Sequence, residues 1–453
     1  MNKKSLSSAF LAAILIGGLV LASAMSFGTV QAASASGDWT MFRSDPSHSG
    51  VGTDNPIGSS VLTPNLLWKT NMTWTLTETE FIAKKRGLTE PAVVDGVVYV
   101  GASYWVFVNQ YRYVEWVEFY AFNATDGAEI WNYSDDLCDS ISSPAVVNGV
   151  VYFATDQYIC ALKASNGALL WNYSAGMFFS NPVVVEDRLF IGIGYTIVAL
   201  NATNGNRIWN YSAGGAVYSP SVVNGVVYVG SSDWNIYAFN ASTGDKIWNY
   251  YAGDVLVVPT VAKGVVYAPL QGGANIYALD AFDGAKIWDY SLWNGWNEGV
   301  SPFAIRNDVL YASYGGAGIL YALNAISGAK IWNIAIGHEI SAPTVVNDVI
   351  YLGSNNALYA LNAHNGDILW NYTTGAGFGS PVVVESVAYV GDFYDGEDNQ
   401  VYAIAVPSPQ LPEREPFPTV LVAIASVGLV AGTGAGLMVY FKKRKKESVN
   451  THE

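Results

Sequence analysis

Between Asp392 and Asn399 the chain places Asp392, Asp395, Glu397, Asp398 and Asn399 around Gly396. Hard cations such as Ca²⁺ take oxygen ligands of this kind, so Asp392, Asp395, Glu397 and Asp398 are candidate metal ligands. The spacing is not that of an EF-hand, and a solvated acidic loop is the competing reading. Cys138 and Cys160 are the only cysteines. In an exported chain an even pair suggests a disulfide, with two buried free thiols as the alternative. His48, His338 and His364 are too scattered for a zinc site. No nucleophile elbow, phosphate loop or paired-carboxylate signature is found.

A second set of residues suits binding rather than reaction. The stretch from Tyr104 to Glu118 reads as a long connection carrying Trp105, Phe107, Tyr111, Tyr113 and Trp116 with Arg112, Glu115 and Glu118; Trp293, Trp296 and Glu298 fall together, as do Phe393 and Tyr394. Flat rings give contact area at little entropic cost, so Trp105, Tyr111, Trp116, Trp293, Trp296, Phe393 and Tyr394 are candidate contacts for a sugar or a polypeptide. The alternative for the first stretch is that it folds over itself as a plug.

Such groups need a scaffold, and the scaffold is written in a repeat. Trp131, Trp171, Trp209, Trp248, Trp288, Trp332 and Trp370 each follow a glycine by four residues, at spacings of 40, 38, 39, 40, 44 and 38. One unit reads SPSVVNGVVYVGSSDWNIYAFNASTGDKIWNY over 219–250. Its apolar runs are short, β-branched and bounded by turn residues, which predicts four strands. Asn224-Gly225 supplies the left-handed pair of a tight hairpin turn. A period near 40 of such units predicts a β-propeller.

The last repeat, 380–405, lacks a terminal strand, and the segment around Trp68 matches one. Pairing the two closes the ring and removes a sheet edge. The prediction is an all-β, eight-bladed propeller over 65–406, with the tryptophans, Trp68 included, packed as structural clasps. Turns between strands one and two and between three and four are short and repetitive, as at Asp95-Gly96 and Asn148-Gly149. The other connections vary, and variable loops on a rigid scaffold carry binding.

The run from Ala238 through Asn240, Thr243 and Gly244 to Trp248 resembles the tryptophan-docking motif of the pyrroloquinoline quinone (PQQ) repeat propellers, and it recurs in all seven units. The opening residues Asp38, Trp39, Phe42, Arg43, Asp45, His48 and Gly50 resemble that family's lead-in segment. The resemblance implies the propeller fold. The family includes quinoprotein dehydrogenases and non-catalytic binding propellers such as the barrel-assembly lipoprotein of bacterial outer membranes. The dehydrogenases carry adjacent cysteines against the cofactor, a calcium site and an aspartate base. Here the cysteines stand 22 residues apart and the ring spans about 340 residues. The resulting expectation is a non-catalytic binding propeller needing no cofactor, with a PQQ- and calcium-dependent oxidoreductase as the alternative.

Residues 1–32 read as a secretory signal, with Lys3 and Lys4 ahead of an apolar run and small residues before the cut. Residues 33–64 lead in to the ring. After it, 407–419 is a proline-rich spacer, 420–441 is uncharged and long enough to span a bilayer, and 442–453 is a basic cytoplasmic tail. The expected product is a single-pass membrane glycoprotein with its propeller outside. Seven of the 22 basic residues lie in the signal and tail, leaving 15 against 35 acidic ones in the exported part, a net near −20. That field disfavours nucleic acid. Eight Asn-x-Ser/Thr sequons occur, at Asn71, Asn123, Asn132, Asn172, Asn201, Asn210, Asn240 and Asn371.

Overall fold

The computed structural model describes residues 39–51, 63–71, 83–109, 112–135, 138–176, 180–254, 258–270, 274–292, 299–337, 339–373, 377–392 and 400–407, with the side chains of 71, 83–86 and 105–115 outside the description. The signal, the spacer, the candidate membrane span and the basic tail lie outside it too. Among the described residues no helix is long and apolar enough to cross a membrane.

Eight antiparallel sheets make eight blades. Blade 4 is typical, with strands Ser221–Val223, Val226–Gly230, Asn235–Asn240 and Lys246–Tyr251. Burial falls from the inner strands to the outer one, where alternation leaves only Trp248 and its neighbours on one face covered. Asn224 and Gly225 take φ of 52° and 74°, the tight turn that the sequence requires. Blade 8 is closed by Asn65–Asn71, which pairs with Gln400–Ala405. The ring is thus sealed by joining the first described strand to the last.

The docking motif works between blades. Each outer strand bulges one residue before its tryptophan, as at Ile247, turning the ring toward the next blade. There Trp248 Nε1 donates to the Ala281 carbonyl at 3.1 Å, and the Tyr228 hydroxyl donates to the same oxygen at 3.1 Å. The motif's glycine serves the preceding blade's tryptophan rather than its own. A Cβ on Gly127 would lie 2.6 Å from the Trp68 ring, and φ there is +72°.

Blade 1 departs from expectation. The segment read as a long loop is a β-hairpin, Val97–Asn109 and Arg112–Asn123, that continues the blade's second and third strands beyond the ring. Ala83–Leu88 pairs along the extension as an added strand. The missed signal is the density of β-branched and aromatic residues on both sides of Asn109-Gln110, which extends two strands into a hairpin.

The segment 39–51 lines the central channel. Trp39 exchanges backbone hydrogen bonds with Val93; the carbonyls of Thr40, Pro46, Ser47, Ser49 and Gly50 then accept from Val146, Val222, Val261, Ile305 and Val345. These are middle residues of the inner strands of blades 1, 2, 4, 5, 6 and 7. Their N–H groups face the axis, where an unpaired donor would be costly, and the lead-in chain satisfies them in order.

Gly127→Ala and Gly225→Ala impose the same backbone strain, since both glycines have φ near +73° (+72° and +74°), but nothing lies within 4 Å of a Cβ at Gly225. Gly127→Ala is therefore expected to lose about 1–3 kcal/mol more stability, read by denaturant unfolding. Equal losses would refute the clasp.

Candidate functional site

Three regions could carry function: the axis, the blade 1 hairpin and the variable-loop face. On the axis, Arg43 is fully buried and its Nη2 donates to the carbonyls of Phe303 at 2.9 Å and Pro343 at 2.5 Å. Burial lowers its pKa, opposed by the charges of Glu90 and Asp45. Glu90, at the channel mouth, is pushed up by burial and pulled back by Arg43, the Ser380 hydroxyl and the Arg43 backbone N–H. Asp45 ties the segment's turn through Ser47 N at 2.8 Å and the hydroxyls of Ser47 and Ser49. His48 is fully buried with neither ring nitrogen bonded among the described residues. Its ring meets Phe42 edge-on at 5.3 Å. Burial first, and the Arg43 charge second, hold its pKa down to about 3 against an ordinary 6.5.

In the hairpin, Trp116 corrects its assignment as an open contact. It is 8% exposed and stacks on Tyr104 at 5.1 Å, because the register that pairs Tyr104 with Trp116 turns both rings inward. Below them the Tyr104 and Tyr120 hydroxyls lie 3.1 Å apart, and Tyr120 donates to the buried Glu118 carboxylate. Burial raises both phenols' pKa values. The side chain of Trp105 lies outside the described residues, as do Tyr111, Trp293, Trp296, Phe393, Tyr394, Asp395, Glu397 and Asp398. Asp392 is described: it is buried, bridges to Phe378, and accepts from Gln400 N at 3.1 Å. Cys138 and Cys160 are buried free thiols, with Cys138 Sγ donating to Thr155 Oγ1 at 3.2 Å. The structure therefore has the thiol alternative rather than the disulfide. Burial pushes both thiols up to about 12.

The variable face holds a site that the sequence reading passed over. Trp234, in the loop between the second and third strands of blade 4, is 46% exposed, and Tyr251, at the end of the outer strand, is 61% exposed. Their rings meet edge-on at 6.1 Å. Tyr195, 63% exposed, occupies the corresponding loop of blade 3. Trp234 has φ of 71°, a left-handed conformation that a bulky residue adopts only when its surroundings impose it. Asp233 imposes it. Its carboxylate accepts from Gly214 N at 2.8 Å, the Tyr237 hydroxyl at 2.7 Å and Asn235 N at 3.1 Å. Partial burial would raise the Asp233 pKa, but these donors outweigh it and hold the carboxyl below its usual range. The equivalent position of blade 6, by its backbone hydrogen bond, is Gly318 in the left-handed state, and that exchange of Gly for Trp was the available signal. The result is a fixed aromatic ledge beside a saturated carboxylate, suited to contact rather than reaction.

The ring of docking tryptophans defines the class as a PQQ-repeat β-propeller. The chain belongs to the family described as outer membrane protein assembly factor BamB, whose model matches residues 63–250, 174–295 and 272–411. No curated protein matches. Similar solved structures include quinohemoprotein alcohol dehydrogenase from Comamonas testosteroni, at 17% identity over 84% of this chain and 82% of that one, with a TM-score of 0.64. A europium-containing methanol dehydrogenase shares 15% identity over 82% and 98% of the two chains, TM-score 0.59. BamB from Moraxella catarrhalis shares 18% over 78% and 100%, TM-score 0.53. At these identities the likeness is one of fold.

Two of those neighbours raise the question of a quinone with a metal. Among the described residues no group of three or more His, Cys, Asp or Glu could hold a metal ion. The cleft at the channel mouth, lined by Thr89, Glu90, Gly379 and Ser380, offers about 190 Å³ with open solvent included.

His48 sets an acid limb. Its folded pKa lies below its unfolded one, so its contribution is intact above pH 6.5 and lost as pH falls toward 3. Stability should drop by about 1.4 kcal/mol per pH unit on this account. The raised carboxyl of Glu90 works in the opposite sense. Denaturant unfolding between pH 6.5 and 4 should show a shallower fall for His48→Gln than for the parent, and matching slopes would refute it.

Proposed function

We propose that this chain is a non-catalytic binding propeller, tethered to the outer side of the cytoplasmic membrane, that recognises a protein or glycan partner through its variable-loop face. The observation that carries the reading is the Trp234–Tyr251 ledge: exposed aromatic rings fixed on a rigid blade, one of them in a strained backbone conformation. Rings presented this way anchor interfaces because little freedom is lost on binding. A family named for an assembly factor supports a protein partner. The acidic exported part disfavours nucleic acid.

Crosslinking capture from host membranes tests it. The double variant Trp234→Ser, Tyr251→Ser should capture its partner at least about tenfold less well with an unchanged melting temperature, since exposed rings add little to the core. Undiminished capture would overturn the ledge. Replacing Trp105, Trp293 and Trp296 as well would then test the rest of the face. Against the oxidoreductase alternative, the protein incubated with PQQ and Ca²⁺ should show no dye-linked oxidation of alcohols or sugars. Sustained turnover would reverse the reading.

A further inference from the structure

The sequons fall into two structural groups. Asn123, Asn201 and Asn240 open the turn between the third and fourth strands of blades 1, 3 and 4. In each the side-chain Oδ1 accepts backbone N–H groups, from Thr125 at 2.8 Å, from Thr203 and Asn204 at 3.0 and 3.1 Å, and from Ser242 and Thr243 at 2.8 and 3.0 Å. The carbonyl is thereby fixed, and Nδ2 has no partner among the described residues. Asn132, Asn172, Asn210 and Asn371 stand one residue after the docking tryptophan on the outer strands of blades 1, 2, 3 and 7, all exposed. Strand alternation explains this: the tryptophan faces inward, so the next side chain faces out. At all seven sites the Ser or Thr two residues on is exposed.

The outer strands of blades 4, 5 and 6 break the pattern by single residues. Blade 4 has Asn249 followed by Tyr251 in place of the hydroxyl, blade 5 has Asp289 in place of the asparagine, and blade 6 has Asn333 followed by Ala335. In the turns, blades 5 and 6 put Phe282 and Ile326 at the hydroxyl position, and these are the most exposed large apolar residues described, at 83% and 67%. Tyr251, which removes the blade 4 outer-strand sequon, is also half of the aromatic ledge.

We propose that Asn123, Asn132, Asn172, Asn201, Asn210, Asn240 and Asn371 are acceptors for N-linked oligosaccharide, coating the outer strands of blades 7, 1, 2 and 3 and the turns of blades 1, 3 and 4 while leaving the outer strands of blades 4 to 6 bare beside the ledge. In the transfer, the bond from sugar C1 to the phosphate of a lipid-linked oligosaccharide breaks and a C1–Nδ2 bond forms. The lipid phosphate leaves with the electron pair, and the amide proton passes to a base of the transferase. No backbone hydrogen bond of the outer strand is lost, because the asparagine side chain points away from the ladder. The coat rests on the exported topology proposed above.

The test expresses the full chain, behind a supplied export leader, in a host whose own secreted proteins carry N-linked glycans. Glycopeptides are then mapped by mass spectrometry after enzymatic release in heavy-oxygen water. Glycan is expected at the seven asparagines and absent from blades 5 and 6. Asn172→Gln should remove one glycan step without changing the melting temperature. Ile326→Thr and Ala335→Ser, which complete sequons at Asn324 and Asn333, should each gain one. Seven bare natural sites overturn the proposal, most directly if the two completed sequons are modified. Glycans on the supplied-leader form and none with the chain's own leader would support the acceptors while overturning the export reading.

Discussion

The ring depends on one backbone oxygen per blade junction. Ala124, Ala164, Ala202, Ala281 and Ala325 each accept both a tryptophan Nε1 and a tyrosine hydroxyl from the preceding blade. Two buried donors thus share one carbonyl, whose two lone pairs can serve both. Where the pattern is incomplete the junction is thinner. Phe190 stands where other second strands have tyrosine, leaving Ala241 with Trp209 alone. Trp332 and Trp370 have Nε1 groups without partners among the described residues. For Trp370 the cause is topological, since blade 8 takes its outer strand from the other end of the chain and has no turn to offer.

The axis solves a second satisfaction problem. Short inner strands leave amides facing the channel, and closing the ring cannot pair them. The lead-in segment does so with its own carbonyls, at the cost of left-handed conformations at Arg43, Ser44 and His48 and of burying an arginine. Removing Glu90 would leave the fully buried Arg43 without its largest compensating charge, a situation typically worth about 3–5 kcal/mol.

Function then falls to what the ring holds at its edges. The ledge is rigid because Asp233 ties the loop to the blade 3 connection, to its own third strand and to Asn235. The rim alternates clasps facing in with asparagines facing out. Blade 4, which presents the ledge, has no sequon on its outer strand, and neither has its neighbour blade 5.

The blade count, the hairpin turns and the closure through Trp68 were legible in the sequence, because local turn chemistry and a period near 40 dictate them whatever the packing. The extension of blade 1 was also written there, in the β-branched and aromatic residues of 104–117, but the same aromatic richness reads equally as a loop. Trp116 as a buried stack, Trp234 as an exposed ledge and Cys138 with Cys160 as separate thiols were not legible. Each depends on which side of a strand faces a neighbour. The sequence by itself determined the repeating unit, since strand alternation and turn propensity act over a few residues. Only the tertiary structure decided which glycine covers which tryptophan, where the lead-in chain lies and which aromatics meet solvent, because those follow from contacts between residues distant along the chain.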